Sequence, residues 1–168
     1  TGYGGGTDVV VGTTTINIAA INDDPTATGV DDVFVSGAEG QSISVDRSGV
    51  VLADVDANGA ELTLSFDVLG EGGLTLSDGA DVTVSGSSVT GTIDNLQSYL
   101  ATPSNIQYLN NGEDSGDTIR VYLNDNGNTG TGGGTAVEVG LIDVAILPKN
   151  EDPVVTGLPA GFDVKEDE

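Results

Sequence analysis

The chain has 168 residues, enough for one domain of ordinary size, and carries 27 acidic against 4 basic residues for a formal net charge of −23. A field of that sign repels nucleic acid and anionic membrane surfaces, so neither is an expected partner. Cysteine and histidine are absent, which excludes disulfides and the usual zinc or copper sites and leaves oxygen ligands, which suit calcium or magnesium.

Most of the chain alternates apolar and polar residues with a period of two, which predicts β-strands. In chain order the predicted strands cover residues 41–46, 61–68, 73–77, 81–86, 88–93, 105–109, 117–125 and 135–147. Asn-Gly and Asp-Gly pairs between these strands mark turns. Seven or more short strands at this spacing predict an all-β fold, an antiparallel β-sandwich of two sheets.

One segment, "TIDNLQSYLATP", breaks the alternation. Its apolar residues recur at helical spacing, Thr92 or Asp94 can cap the start, and Pro103 can end it. The pattern predicts one short helix near residues 93–101. The later stretch "NDNGNTGTGGG" (124–134) is interpreted as a flexible loop, since it has neither the lysine of a phosphate-binding loop nor a helix after it.

Two parts of the chain repeat one pattern. "TGYGGGTDVVVGTTTINIAAINDDPTATG" opens the chain, and "TGTGGGTAVEVGLIDVAILPKNEDPVVTG" begins 128 residues later, at Thr129, without a gap. Residues 1–21 are therefore interpreted as the last strand of a preceding repeat and 22–150 as a complete β-sandwich repeat. Residues 151–168 would be the linker and first strand of a following repeat. Two similar hairpins within one fold remain the alternative.

The stretch "DVDANG" places oxygen-bearing side chains at alternate positions, Asp54, Asp56 and Asn58, before a glycine. This is how an EF-hand calcium loop opens, although its twelfth position here is Ser65 rather than glutamate and a strand pattern follows. Two interpretations stay open: calcium ligands on a β scaffold, or a polar turn that ends in Asn-Gly. Asp125, next to the last predicted strand, could join such a site.

The order of these features resembles the cadherin-like, immunoglobulin-like tandem repeats of giant RTX-type bacterial surface adhesins. The features are an N-D-x-P linker, an acidic spot after the first strand, a D-x-D-x-[NS]-G loop and a segment like "NGEDSGDTIRVYLNDNG" before the last strand. The stretch "GTIDNLQSYLATPSNIQYLNNGEDS" is also similar to that family. The resemblance covers the whole chain and implies an immunoglobulin- or cadherin-like sandwich, with calcium at the junctions stiffening the array into a rod.

The resemblance also implies a set of calcium ligands. "INDDP" and "KNEDP" are similar to the cadherin linker, and the "DVDANG" pair corresponds to the D-x-D of the domain that follows it. Glu39 and its repeat counterparts resemble the acidic residue early in the first strand, whereas Ser48 in "VDRSG" departs from the family's L-D-R-E segment. The full predicted set is Asn22, Asp23, Asp24, Glu39, Asp54, Asp56, Asn58, Asp125, Asn150, Glu151, Asp152, Glu166 and Asp167.

By this resemblance we expect a calcium-binding extender repeat of a long, secreted adhesin at the bacterial cell surface, acting in cell adhesion and biofilm. Its partners would be the adjacent repeats of the same polypeptide, without membrane insertion. Because unpaired strand edges seek partners, residues 1–20 and 154–168 are also expected to pair between neighbouring molecules or to dock on the central domain.

Two other functions stay open: a calcium-dependent, lectin-like carbohydrate-binding module, and a homophilic cadherin-like adhesion domain. A lectin would expose a tyrosine beside the calcium loops, whereas Tyr99 and Tyr108 are predicted to be core or boundary residues. Catalysis is not expected. Paired carboxylates can hydrolyse glycosides, but the chain has no tryptophan or histidine and no recognisable cleft-forming insertion.

Overall fold

The computed structural model describes residues 3–31, 34–110, 116–150, 152–157 and 161. Within them, eleven strands and one helix follow one another along the chain. The elements are β1 Thr26–Thr28, β2 Phe34–Ala38, β3 Ser42–Ser44, β4 Val51–Ala53, β5 Leu62–Val68, β6 Gly73–Leu76, β7 Thr83–Ser85, β8 Ser88–Gly91, α1 Ile93–Leu100, β9 Ile106–Leu109, β10 Asp117–Asn124 and β11 Val137–Leu147.

The strands pair into three hydrogen-bonded sheets. The largest has the order β2-β11-β10-β5-β8-β7, the second has the order β3-β9-β6, and β1 pairs with β4. The predicted all-β character is confirmed. The purely antiparallel arrangement is wrong at one place, because β2 runs parallel to β11. Parallel neighbours need a long connection between them, and here the rest of the domain provides it.

The inner faces of the sheets share one apolar core. In β5 the alternate residues Leu62, Leu64 and Phe66 are buried, as the period of two in a strand requires. β9, in the second sheet, contributes Ile106 and Tyr108 to the same cluster. The alternating pattern of the sequence therefore marks the face of each strand that the core covers.

Helix α1 packs on this core between β8 and β9. Thr92 is its N-cap, with an extended backbone and with Oγ1 accepting a hydrogen bond from the Asn95 N–H at 3.4 Å. Leu96, Tyr99 and Leu100 are its buried residues, so the predicted short helix is confirmed. No helix in the described part of the chain is long and apolar enough to cross a membrane.

The hairpin of β10 and β11 defines the two ends of the domain. Asp125 follows β10 directly, at the end where β11 begins, and Lys149 lies just beyond the other end of β11. β11 has 11 residues, so these ends lie about 30 Å apart at the usual rise of a strand. Residues at opposite ends of this hairpin therefore cannot share one ion.

The segments outside these elements begin and end the chain. Residues 3–20 and 152–157 belong to no strand and are exposed. The first link to the domain is the hydrogen bond from the Thr131 N–H to the Ala20 carbonyl, which belongs to a parallel bridge between Ile21 and Thr131. Docking of residues 3–19 on the central domain is thus not seen, while pairing between molecules and the repeat boundaries stay predictions.

Candidate metal centre

The loop between β4 and β5 positions Asp54 and Asp56. Asp54 Oδ1 accepts a hydrogen bond from the Asp56 N–H at 3.0 Å. Asn58 and Gly59 then adopt φ angles of 47° and 81°, which turn the chain back into β5. The Asn58 amide donates to the Asp56 carbonyl at 2.9 Å, so Asn58 builds the turn while the two aspartates remain available to a ligand.

The linker enters beside this loop and contacts two acidic side chains. The Asp23 N–H donates to Asp56 Oδ2 at 3.2 Å. Asn22 Nδ2 donates to Asp125 Oδ2 at 2.5 Å. The linker therefore lies between the β4–β5 loop on one side and the end of β10 on the other. We call Asn22, Asp54, Asp56 and Asp125 the linker cluster.

Asp125 is a fully buried carboxylate. Its Oδ1 accepts hydrogen bonds from the backbone N–H of Gly127 at 3.0 Å and of Gly134 at 2.8 Å. Burial alone would raise the pKa of Asp125, but these two amides and the Asn22 amide hold that pKa below its usual value. Asp125 therefore stays ionised and has a fixed orientation.

Three oxygens of the linker cluster are buried and have no hydrogen-bond partner among the residues that the structure describes. They are Asn22 Oδ1, Asp54 Oδ2 and Asp56 Oδ1. Buried polar side-chain atoms are normally paired, and leaving one unpaired costs about 1–3 kcal/mol. Carboxylate and amide oxygens are the ligands that calcium takes, so a bound cation would supply the partner that such oxygens lack.

The charges of the linker cluster also favour a cation. Burial raises the pKa of Asp54, the hydrogen bond from the Asp56 N–H lowers it, and the nearby carboxylates of Asp56 and Asp125 raise it further. The net direction is upward, so the ionised form of Asp54 is held at a cost. A divalent cation beside these carboxylates would replace repulsion by attraction.

The linker cluster is not a complete cage of carboxylates. Across the described ranges, no group of three or more acidic side chains has the arrangement of a metal site. The third carboxylate, Asp125, is turned toward glycine amides, and one of the unpaired oxygens belongs to an amide. Such a mixed set suits calcium, which accepts amide and water oxygens in flexible geometry.

The glycine-rich segment 126–134 contacts the linker, a role that the sequence did not predict. Thr131 donates its N–H to the Ala20 carbonyl at 3.0 Å and accepts from the Asn22 N–H at 3.3 Å. The Thr129 hydroxyl donates to the Asp56 carbonyl at 2.5 Å. The internal repeat could have revealed this role. The triple glycine, Gly4 to Gly6 and Gly132 to Gly134, recurs 128 residues apart, and so does the linker.

The other predicted ligands lie elsewhere. Asp24 is exposed and lines, with Asp54, a shallow cleft of about 150 Å³. Glu39 lies at the opposite end of the hairpin, where its Oε2 accepts from the Lys149 N–H at 3.1 Å. Asn150 and Asp152 are exposed residues of the second linker. Predicted ligands outside the described residues are Glu151, Glu166 and Asp167.

Two of the three tyrosines in the domain, Tyr99 and Tyr108, lie in the core. Tyr99 and Tyr108 are 3% and 0% exposed, which confirms the prediction that they belong to the core. Tyr122 is half-buried on the outer face of β10, with its hydroxyl 3.2 Å from Arg120 Nη1. Tyr99 and Tyr108 therefore do not offer the exposed aromatic face that a lectin-like site needs.

Comparison of the chain with protein-family models, with curated proteins and with solved structures finds no match. The functional proposal consequently rests on the linker cluster and on the internal repeat.

Proposed function

We propose that the protein is a calcium-binding extender repeat of a long, secreted bacterial surface adhesin, with an immunoglobulin- or cadherin-like sandwich fold. The observation that carries the proposal is the presence of three buried, unpaired oxygens, from Asn22, Asp54 and Asp56, beside the ionised Asp125. One of them comes from the linker and two come from the domain. A cation bound there would join the linker to the domain.

The mechanical consequence follows from the charges. Without a cation, the carboxylates of the linker cluster repel one another, and their unpaired oxygens favour hydration and separation. With calcium, the same oxygens would converge on one ion, which would add to the backbone hydrogen bonds between the linker and Thr131. Binding free energy then becomes free energy for ordering the junction.

The internal repeat supports a tandem array. Asn150 and Asp152 stand in the second linker 128 residues after Asn22 and Asp24. At that end Glu39 already contacts the backbone of Lys149. Each unit would thus carry one junction at either end, about 30 Å apart along the hairpin, which is the arrangement of a spacer.

The proposal is tested by thermal melting of the chain in chelator, in calcium and in magnesium. The ionic strength must be matched, because screening alone stabilises a chain of charge −23. Calcium at 100 times its dissociation constant should stabilise the fold by about 2.7 kcal/mol, or roughly 5–10 °C. Magnesium should give a clearly smaller shift.

The double variant Asp54→Asn with Asp56→Asn should lose the calcium shift. Asp67→Asn removes a charge from an exposed position of β5 and is the matched control, which should keep that shift. Equal shifts in calcium and magnesium, or a calcium shift that survives the double variant, would reject the site.

A further inference from the structure

The linker is held by a short backbone ladder with the glycine-rich loop 126–134. Ile21 and Thr131 form a parallel bridge. The Thr131 N–H donates to the Ala20 carbonyl, and the Asn22 N–H donates to the Thr131 carbonyl. These bonds fix three successive linker residues next to the loop, before any ion is considered.

Two glycines of the loop make room for Asn22. A Cβ atom at Gly130 would lie 2.5 Å from the Asn22 backbone nitrogen, and a Cβ atom at Gly133 would lie 2.4 Å from Asn22 Cγ. Both distances are shorter than any ordinary contact, so a side chain at either position would displace Asn22. Gly132 differs, because a Cβ atom there would meet nothing within 4 Å.

The loop also contacts both acidic segments of the site. Asp125 Oδ1 accepts from Gly127 and Gly134, which lie near the two ends of the loop, while Oδ2 accepts from Asn22. On the other side, the Thr129 hydroxyl binds the Asp56 carbonyl. Linker, loop and both acidic segments therefore form one hydrogen-bonded network.

We propose that the glycine-rich loop 126–134 is a clamp that holds the linker backbone and positions Asn22, so that linker order and cation binding are coupled through Asp125. The calcium half of this inference rests on the proposed function, whereas the clamp itself rests on the backbone ladder and the glycine contacts.

The clamp lowers the cost of forming the site. Ordering a free linker opposes binding, and prior ordering removes part of that cost. Coupling of this kind is reciprocal: a tighter clamp raises calcium affinity, and bound calcium lowers the equilibrium population of the open clamp by the same factor. Gly4 to Gly6 correspond to Gly132 to Gly134 in the internal repeat, so a preceding unit would hold its own linker in the same way.

The test compares Gly133→Ala with Gly132→Ala in the full chain. Both glycines have positive φ angles, 79° and 101°, so both substitutions strain the backbone, but only Gly133→Ala also displaces Asn22. Two quantities are measured: the calcium dissociation constant by titration calorimetry, and hydrogen exchange of the Asn22 and Thr131 amides in chelator.

Gly133→Ala should weaken calcium binding roughly tenfold and speed exchange of both amides by a similar factor. Gly132→Ala should change both by a clearly smaller factor, because it adds only the backbone strain that the two variants share. If the two variants behave alike in both measurements, the clamp is rejected. If wild-type protein binds no calcium yet Gly133→Ala still speeds exchange selectively, the clamp stands and the proposed function fails.

A second variant covers the case in which Gly133→Ala does not fold. Thr131→Pro removes the N–H that binds the Ala20 carbonyl and adds no side chain at Asn22. It should speed exchange of the Asn22 amide and weaken calcium binding in the same direction. A folded Thr131→Pro variant with the exchange rate and affinity of the wild type would overturn the clamp.

Discussion

The side-chain amide of Asn22 lies 2.5 Å from the carboxylate of Asp125, although 103 residues separate them in the sequence. Asn22 belongs to the linker, and Asp125 is fully buried at the end of β10. This contact ties the entering chain to the rigid hairpin of the large sheet. It also places a linker oxygen, Asn22 Oδ1, among the carboxylates of the linker cluster.

Neutralising Asp125 should destabilise the fold even without calcium. Its lowered pKa means that the folded state favours the carboxylate, which holds Gly127, Gly134 and Asn22. Hydrogen bonds to a charged group contribute about 1.5–3 kcal/mol, so Asp125→Asn should lower the free energy of unfolding by roughly that amount. Urea unfolding in chelator measures the loss, and an unchanged midpoint would contradict this account of Asp125.

Neutralising Asp54 should have the opposite effect in chelator. Its raised pKa means that the folded state disfavours the ionised form, so Asp54→Asn should leave stability unchanged or raise it. In calcium the order should reverse, because the variant lacks a ligand and the wild type gains the ion. Urea titrations of the variant and the wild type, in chelator and in calcium, test this reversal of the order of stability. A variant that is less stable than the wild type in both conditions would contradict it.

Calcium affinity should fall as the solution becomes acidic. Since the pKa of Asp54 is raised, protons begin to compete with calcium at a higher pH than for an ordinary aspartate. The dissociation constant should therefore rise as the pH falls from neutral toward about 3.9, the pKa of an ordinary aspartate, and the rise should begin above that value. Binding should also release protons, detected as a dependence of the calorimetric heat on the buffer's ionisation enthalpy. A constant affinity across this range would exclude Asp54 as a ligand.

Replacing Arg47 by methionine should stabilise the domain. The Arg47 side chain is 2% exposed, and Nε and Nη2 have no hydrogen-bond partner in the described part of the chain. Burial lowers its pKa to about 10, with Asp46 opposing the shift. The loss of stability that the buried charge causes is fully present below about pH 10 and is relieved above it, since the pKa of Arg47 is lower in the folded than in the unfolded state.

Replacement of a buried charge by an apolar side chain of similar volume gains about 1–4 kcal/mol in favourable cases. We expect Arg47→Met to fall in the lower half of that range by urea unfolding near neutral pH. Arg120→Met, on the outer face of β10, is the control and should change stability by less than about 0.5 kcal/mol. A large loss of stability in Arg47→Met would mean that its hydrogen bond to the Asp46 carbonyl outweighs the burial.

The sequence predicted most strands and the helix because each follows from local periodicity. In β5 the alternation of Leu62, Leu64 and Phe66 with polar residues is enough to assign the strand and its buried face. The parallel pairing of β2 with β11 was missed. The two strands are about 110 residues apart in the sequence, and local periodicity carries no information on such long-range pairing.

Part of the site was also predictable from local sequence pattern. The alternate spacing of Asp54 and Asp56 identified the acidic loop, and the repeat identified the linker. The contact of the glycine loop with the linker was not assigned, although the repeat marks both, since that contact depends on the space that Gly130 and Gly133 leave for Asn22. Nor does "VDRSG" indicate that Arg47 points into the core, because long charged side chains at such positions usually reach solvent.

The most direct test of the central claim is calorimetric titration of the 168-residue chain with calcium and with magnesium at one ionic strength. The account predicts saturable calcium binding that Asn22→Ala weakens and that Asp54→Asn with Asp56→Asn abolishes at the linker site, while Asp67→Asn binds like the wild type. Calcium binding that is insensitive to Asn22, Asp54 and Asp56, or no binding at all, would contradict a calcium-stiffened junction.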